Sequence, residues 1–271
     1  MSGPAPLTYS VRHSRGDQTI LYLHGFMGCK EDWTDVADTI GSDYAHLLVD
    51  FPGHGSTASM IAPQLTDHDF TMPGCAELLL RLLDDLHIER CHLVGYSMGG
   101  RLALYLLVHH GDRFIKAVVE SASPGLETED ERRARLDRDF HFARRLEDEP
   151  IDDFTDEWYA QPLFATMDRQ SERFAAMLAR RRRSISAGLA RSLRLMGTGA
   201  QPSLWNDLGG IAAPLLLLAG ELDAKFTAIA GRMTPLCPHA ATAIIPHAGH
   251  NVHFERPDDY AHALATFLAT G

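Results

Sequence analysis

The sequence predicts an α/β fold in which a mostly parallel central sheet is flanked by helices and interrupted by a helical insertion. Short apolar runs alternate with segments of helical periodicity in the first and last parts of the chain, as is typical of βαβ units. Between residues 124 and 205 the alternation stops, and only Arg-rich and Glu-rich amphipathic stretches occur. We therefore expect residues 1–123 and 206–271 to form the core domain and residues 124–205 to form a helical lid.

Each predicted strand is an apolar run that ends in a loop of glycine, proline or small polar residues. In chain order, the expected strands lie within residues 19–26, 44–55, 90–97, 114–123, 213–223 and 241–250. Helical periodicity occurs between them and at the end of the chain, at residues 75–89, 98–110 and 258–270. Connections long enough to hold a helix favour parallel pairing of the strands.

Composition and charge exclude several classes of protein. The formal net charge of −11 argues against a nucleic-acid partner, which requires a basic surface. No apolar run reaches the roughly 18 residues that span a bilayer, and the N-terminus lacks the order of a signal peptide, so we expect a cytoplasmic protein without membrane insertion. The cysteines show no CxxC spacing and predict neither a zinc site nor a disulfide framework: Cys29, Cys75, Cys91 and Cys237.

Arginine is concentrated in the predicted lid. Of the 25 Lys and Arg residues, 22 are arginine, and 14 of these lie between Arg132 and Arg194. Because salt limits the range of surface charges to about 8–10 Å, a local group of cations can attract an anion despite the negative net charge. Most exposed lid arginines are nevertheless expected to pair with the many neighbouring Glu and Asp residues.

A predicted catalytic serine lies between a strand and a helix. Residues 95–99 read GYSMG, the G-x-S-x-G motif, whose glycines permit the sharp turn that exposes the Ser97 hydroxyl. A serine needs a base, and the base needs an acid that orients it. Asp223 follows one predicted strand and His250 follows the next, and the chain order Ser, Asp, His is that of the α/β-hydrolase fold.

The same fold predicts an oxyanion hole made of two backbone N–H groups. One belongs to Met98, directly after the serine, and the other to Phe26 in the glycine loop after the first predicted strand. Asp50 and His54 are expected to stabilise their own loop. His253 is assigned a structural role by default.

Arg101 is the residue that a simple hydrolase does not explain. It follows Ser97 by four residues, so on a helix it lies one turn behind the serine. An enzyme that holds an apolar acyl chain has no need of a cation there. From the residues alone, hydrolysis of an ester, lactone or thioester is the base expectation for this triad. A carboxylesterase, a C–C bond hydrolase and a receptor that binds a small acid without turnover all stay open.

The motifs together resemble one enzyme family over nearly the whole chain. They are, in order, LHGF, DFPGHG, GYSMGGR, SPGL followed by arginines, EWYAQPLF, GELDAKF and AGHNVHFERP. The sequence resembles the 2-succinyl-6-hydroxy-2,4-cyclohexadiene-1-carboxylate synthases, lyases of menaquinone biosynthesis with an α/β-hydrolase fold. The resemblance implies elimination of pyruvate from a small cyclohexene that bears three carboxylates, without a metal or an organic cofactor.

The resemblance also assigns residues by motif position. It implies that Ser97, once deprotonated by His250, acts as a general base on a ring C–H bond, with Asp223 orienting His250. Carboxylate binding falls to three arginines and pocket lining to three aromatic residues: Arg101, Arg135, Arg183, Tyr96, Trp158 and Tyr159.

Two of these assignments have rivals, and one position departs from the family pattern. Arg132 is an alternative to Arg135, and Arg181 or Arg182 is an alternative to Arg183, because RRRRSISAG differs from the family pattern there. Ser123 stands where the family pattern leads us to expect a histidine.

Overall fold

A seven-stranded sheet forms the centre of the described residues, 5–12, 16–60 and 64–270 of a computed structural model. Its spatial order is β1-β3-β2-β4-β5-β6-β7, with β1 antiparallel to β3 and every other neighbouring pair parallel. The strands are β1 (Tyr9–Arg12), β2 (Thr19–Leu23), β3 (Ala45–Val49), β4 (Cys91–Tyr96), β5 (Phe114–Glu120), β6 (Leu215–Gly220) and β7 (Ala240–Ile245). The predicted fold class, a mostly parallel sheet flanked by helices, is confirmed.

The α-helices of the described residues flank the sheet and fill the segment between β5 and β6. They are α1 (Thr34–Ile40), α2 (Gly55–Met60), α3 (Met72–Asp85), α4 (Met98–His110), α5 (Glu129–Asp148), α6 (Ile151–Ala160), α7 (Glu172–Arg181), α8 (Ser186–Met196), α9 (Ala224–Met233), α10 (Val252–Glu255) and α11 (Pro257–Ala269). None of them is long and apolar enough to cross a membrane. Residues 1–4 and 13–15, part of the N-terminal segment used for the localisation prediction, lie outside the described residues.

Strand β1 was not among the predicted strands. It has four residues, none of which is buried. An edge strand that covers no core lacks the apolar run by which the other strands were found.

The sheet separates two apolar cores. Successive side chains of β2 point to opposite faces, as the pleat requires. Leu21 and Leu23 pack with α3, α4 and α9 on one face, whereas Ile20 and Tyr22 pack with α1 and α11 on the other. Both faces are covered, which explains why the central strands read as continuous apolar runs.

Helices α5 to α8 form a third apolar cluster over the carboxyl ends of the strands. The cluster joins Phe154, Phe174 and Leu189 of these helices to Met27, which lies in the loop after β2. Helix α5 begins at a capping box in which Thr128 and Glu131 satisfy each other's backbone N–H groups. The described residues between β5 and β6 contain no strand.

A buried carboxylate forms hydrogen bonds to three other segments of the chain near the loop after β2. Asp50, directly after β3, accepts hydrogen bonds from the Lys30 backbone N–H at 2.7 Å, the Lys30 Nζ at 2.7 Å, the Ser56 N–H at 2.9 Å and the Thr8 hydroxyl at 2.9 Å. Burial alone raises the pKa of the Asp50 carboxyl, but the hydrogen bonds and the charge of Lys30 outweigh it, and the pKa is lowered overall.

We expect Asp50→Asn to lower the free energy of unfolding by about 3 kcal/mol, because it leaves the Lys30 ammonium buried beside a neutral amide. Since the folded-state pKa of Asp50 is depressed, its contribution is full above the ordinary value of 3.8 and is lost as the pH falls through the folded-state value. Urea unfolding from pH 7 to pH 3 should therefore show a shallower acid dependence for the variant. Asp137→Asn, at an exposed site, is the matched control; equal losses for both variants would contradict the role of Asp50.

Candidate active site

Ser97 lies in a sharp turn between β4 and α4. Its backbone has φ of 49° and ψ of −107°, in the left-handed region that L-residues rarely adopt. Two glycines allow the turn: a Cβ on Gly95 would lie 2.5 Å from the Gly99 carbonyl oxygen, and one on Gly99 would lie 2.2 Å from the Leu23 oxygen. The Ser97 N–H donates to the Glu120 carbonyl at 2.9 Å, which fixes the turn to β5.

The structure brings together the predicted serine, histidine and aspartate. His250 Nδ1 lies 2.7 Å from Asp223 Oδ2, and His250 Nε2 lies 3.4 Å from Ser97 Oγ, at the outer limit of a hydrogen bond. Asp223 follows β6 and also caps α9, because its Oδ1 accepts the Phe226 N–H at 3.2 Å. Both His250 and Asp223 are buried, whereas Ser97 is partly exposed to the cavity.

The residues of the two predicted oxyanion donors, Phe26 and Met98, both line the cavity next to Ser97. Met98 is the first residue of α4, so its N–H has no acceptor within the helix. Phe26 lies in the loop after β2 and lines the same cavity as Ser97 and Met98.

His24 holds the Phe26 loop in place. Its Nε2 accepts the Phe51 N–H at 3.2 Å, so its Nδ1 carries the proton and donates to the Gly25 carbonyl at 2.7 Å. Burial lowers the pKa of His24, which keeps the imidazole neutral as this arrangement requires.

A cavity of about 570 Å³ opens above Ser97 and His250, between the carboxyl ends of the strands and helices α5, α6 and α8. A volume of this size suits a small-molecule ligand. Its lining includes six basic side chains from both the core and the lid: Arg101, Arg135, Arg138, Arg181, Lys225 and Arg232.

Arg101 is a buried cation in this cavity. Its exposed fraction is 8%, and it donates through Nη1 to the Met196 carbonyl at 2.9 Å and to Gln201 Oε1 at 3.3 Å. Among the described residues, no carboxylate lies within 4 Å of it. Burial, together with the positive charge of Arg135, lowers the pKa of the guanidinium to about 10. A desolvated cation without a carboxylate partner is suited to bind an anion.

Arg135, rather than its rival Arg132, lines the cavity. Arg135 Nε donates to Asp139 Oδ1 at 2.7 Å, and Asp139 Oδ2 accepts the Gly199 N–H at 3.0 Å. The buried Asp139 thus orients the guanidinium, while a third of the Arg135 side chain remains exposed.

The structure does not place Arg183 in the cavity. Helix α7 ends at Arg181, and the next two arginines lie exposed in the turn that follows. Arg181 is the member of the run that reaches the cavity: it is 4% exposed, its Nη2 lies 2.6 Å from Asp32 Oδ2, and its Nε donates to the Tyr159 hydroxyl at 3.1 Å. Arg181, which the sequence offered as an alternative to Arg183, is therefore the arginine of this run that lines the cavity.

The three predicted aromatic residues all line the cavity. The Trp158 ring lies edge-on to Phe26 at 4.9 Å between centroids, so the lid contacts the loop that carries a predicted oxyanion donor. The centroid of the Tyr96 ring lies 5.4 Å from that of the His250 ring. Aromatic walls of this kind complement the apolar part of a ligand.

Sequence reasoning missed many residues of the cavity, Lys225 and Ser121 among them, and did not interpret Ser123. Lys225, two positions after Asp223, lines the cavity, and burial together with the charge of Arg135 lowers the pKa of its ammonium. Its position two residues after Asp223, at the end of a predicted strand, was the feature of the sequence that could have indicated it. Ser121 lines the cavity with a φ of 47°. Ser123 also lines it, and its carbonyl accepts from Gln201, the residue that contacts Arg101.

Comparison with known proteins defines the class and then the family. A family model described as the α/β hydrolase fold matches residues 18–257, so the chain is a protein of the α/β-hydrolase fold. The 2-succinyl-6-hydroxy-2,4-cyclohexadiene-1-carboxylate synthase of Enterobacter sp. (strain 638) is 35% identical over 92% of this chain and 91% of that protein. The same enzyme of Klebsiella pneumoniae (strain 342) is 36% identical over 93% of this chain and 94% of that protein. The chain belongs to this synthase family, as the motifs predicted.

Solved structures agree with this placement. The structure of MenH from S. aureus matches with a TM-score of 0.89 and 30% identity, covering 96% of this chain and 97% of that chain. The enol-lactonase from Burkholderia xenovorans LB400 matches with a TM-score of 0.82 but only 20% identity, over 97% of this chain and 96% of that one, and shows the common fold alone.

We expect Arg181→Gln to cost about 3 kcal/mol of stability, because it removes the main partner of a buried carboxylate. Burial alone raises the pKa of Asp32, but the charge of Arg181 lowers it to about 2. That depressed pKa stabilises the fold above pH 3.8 and the contribution fades as the pH falls toward 2. Arg183→Gln, at an exposed site, should change stability by less than about 0.5 kcal/mol. Urea unfolding at pH 7 measures both, and similar effects would contradict the role of Arg181 as the main partner of Asp32.

Proposed function

We propose that the chain is a lyase that eliminates pyruvate from 2-succinyl-5-enolpyruvyl-6-hydroxy-3-cyclohexene-1-carboxylate, forming 2-succinyl-6-hydroxy-2,4-cyclohexadiene-1-carboxylate in menaquinone biosynthesis. The observation that carries the proposal is Arg101, a buried cation that has no carboxylate partner in the part of the chain that the structure describes and lies one helical turn behind Ser97. The names of the relatives support it. The substrate's three carboxylates match a cavity with basic residues on several sides.

In this proposal, three arginines bind the carboxylates of the substrate. Arginine suits the task because its planar fork can donate two hydrogen bonds to one carboxylate. Arg101 is buried, and its hydrogen-bond partners among the described residues are the neutral Met196 carbonyl and Gln201 Oε1, so a substrate carboxylate would supply it with an anionic partner. Arg135 and Arg181 are already oriented by Asp139 and Asp32, so they enter the complex with little loss of side-chain freedom.

The reaction begins with proton transfer from the serine. His250, oriented by Asp223, takes the proton of Ser97, and the Ser97 oxyanion then removes a proton from a ring C–H bond. The electron pair of that bond moves through the ring double bond and breaks the C–O bond to the enolpyruvyl group. Enolpyruvate takes up a proton and leaves as pyruvate. A positioned base contributes about 10²- to 10⁴-fold to such a rate.

The backbone N–H groups of Phe26 and Met98 are proposed to stabilise the enolate that forms when the ring proton leaves. Each donor of this kind contributes about 10²- to 10³-fold. We assign Tyr96, Trp158 and Tyr159 to the walls that hold the ring in register with Ser97. Residues 124–205 act as the lid, whose aromatic side chains exclude water from the Ser97 oxyanion.

We place this reaction in the cytoplasm, with a small tricarboxylate as the binding partner. The four cysteines are free and buried, which is consistent with a compartment that keeps thiols reduced. The carboxylates make the substrate strongly polar, so it is supplied from aqueous solution.

A coupled assay tests the proposal directly. Freshly generated enolpyruvyl precursor is mixed with the protein, and released pyruvate is followed with lactate dehydrogenase beside a blank for spontaneous elimination. A parallel assay measures cleavage of p-nitrophenyl acetate. Pyruvate well above the blank with slow ester cleavage supports the lyase. Rapid ester cleavage without excess pyruvate identifies a hydrolase, and binding of the precursor without turnover identifies a receptor.

Ser97→Ala should reduce pyruvate release to the level of the blank, because it removes the proposed base. Ligand binding should stay within about threefold of wild type, since a hydroxyl that acts mainly in the transition state contributes little to ground-state affinity. Isothermal titration with the cyclohexadiene product measures the affinity. A loss of binding as large as the loss of rate would contradict the role given to Ser97.

Arg101→Gln should raise KM by about 10- to 100-fold, the usual cost of one charge-assisted hydrogen bond or pair of bonds. Cleavage of neutral p-nitrophenyl acetate should change by less than about twofold, because that ester carries no carboxylate. Arg133→Gln is the matched control, at an exposed lid site outside the cavity. Thermal unfolding establishes that each variant is folded. Equal KM values for the two variants would exclude Arg101 as a substrate ligand.

A further inference from the structure

A second buried pair of histidine and carboxylate lies next to the proposed triad. His253 Nδ1 lies 2.7 Å from Glu120 Oε2, and the His253 backbone N–H donates to Glu120 Oε1 at 3.2 Å. Glu120 is 0% exposed and His253 3%. The two residues are 133 positions apart in the sequence, so the fold alone brings them together.

Glu120 connects two segments of the active site. Its backbone carbonyl accepts the Ser97 N–H at 2.9 Å and so supports the strained serine turn. Its side chain holds α10, the short helix that begins two residues after His250. One residue therefore links the backbone of the proposed base to the segment that carries its histidine.

The His253 ring contacts the same site from behind. It stacks on Trp33 with 4.1 Å between centroids and an interplanar angle of 20°. It also lies edge-on to the Tyr96 ring at 4.9 Å, and that ring contacts His250 at 5.4 Å. A rotation of His253 would therefore move both Tyr96 and the His250 segment.

Neither member of the pair can take part in the chemistry itself. Neither Glu120 nor His253 is among the residues that line the main cavity. A buried polar pair is seldom the most stabilising choice, because an apolar pair of similar volume is often at least as stable. The geometry of the Glu120–His253 pair instead indicates that the pair holds β5 and α10 in one relative arrangement.

We propose, on the basis of the roles proposed above for Ser97 and His250, that Glu120 and His253 are positioning residues. They hold the His250 segment so that Nε2 faces Ser97 Oγ. The separation of 3.4 Å leaves little tolerance, since a further displacement of a few tenths of an ångström removes the hydrogen bond. Glu120 and His253 thus act on the rate through the Ser97–His250 contact and not through substrate binding.

Three variants separate the contributions of the pair. His253→Phe keeps a ring on Trp33 but removes the Nδ1 contact with Glu120, while the backbone N–H at position 253 can still donate to Glu120. His253→Asn keeps a donor near the position of Nδ1 and loses the ring. Glu120→Gln keeps the shape and removes the charge. The matched control is His92→Phe. His92 is about as buried as His253 and lies at the start of β4, the strand whose other end leads into Ser97.

Two readouts are measured for each folded variant. The first is the rate at which diisopropyl fluorophosphate modifies Ser97, followed by intact-protein mass. In that reaction the serine oxygen bonds to phosphorus, fluoride leaves, and the hydroxyl proton passes to the base, so the rate reports the Ser97–His250 contact without any lyase substrate. The second readout is kcat and KM for pyruvate release. Thermal unfolding is recorded alongside.

We expect His253→Phe and Glu120→Gln to slow both serine modification and kcat by about 10- to 100-fold, as for an ångström-scale misplacement, with KM within about threefold. His253→Asn should recover rates to within about threefold of wild type, and His92→Phe should leave them unchanged even where its Tm falls. Unchanged rates in the folded His253→Phe and Glu120→Gln proteins would overturn the proposal.

The same experiment keeps this proposal distinct from the proposed function. A wild-type protein that is modified at Ser97 but releases no pyruvate would overturn the lyase reaction alone, and the variants would still test the pair. A wild-type Ser97 that does not react would overturn the roles of Ser97 and His250, and the positioning role with them.

Discussion

The left-handed backbone at Ser97 is the constraint on which the rest of the site depends. It is sterically unfavourable for a residue with a Cβ, so it persists only where the surroundings fix it. Here Gly95 and Gly99 let β4, α4 and the end of β2 approach within contact distance, and the Glu120 carbonyl holds the Ser97 N–H. Because the turn sits at the carboxyl ends of parallel strands, the loops after β2, β6 and β7 meet it there.

The cations that line the cavity differ in whether a carboxylate lies next to them. Arg135 and Arg181 each have a buried carboxylate, Asp139 and Asp32, that orients them. Among the residues that the structure describes, Arg101 has hydrogen-bond partners only in a carbonyl and an amide oxygen. A protein of net charge −11 repels anions at long range, but screening confines that repulsion to about 8–10 Å. Cations inside the cavity can therefore attract an anion at short range despite the negative net charge.

Sequence reasoning found what depends on local pattern and missed what depends on exact register or long-range pairing. Ser97, Asp223 and His250 each follow an apolar strand, so the pattern located them. The choice between Arg181 and Arg183 turned on where α7 ends, since Arg181 is the last residue of the helix and Arg183 lies exposed in the turn that follows it. The Glu120–His253 pair spans 133 positions and leaves no local signature.

One carboxylate, Asp32, joins the lid to the loop after β2, which carries Phe26. Asp32 Oδ2 lies 2.6 Å from Arg181 Nη2 of the lid and accepts the Cys29 N–H, in the loop that carries Phe26, at 3.1 Å. Docking of the lid thereby stabilises the loop that carries a proposed oxyanion donor. In the proposed function, a substrate carboxylate on Arg181 would join this network, since Asp32 contacts both Arg181 and the loop that carries Phe26. The proposal thus couples substrate binding to the position of that loop through two hydrogen bonds to Asp32.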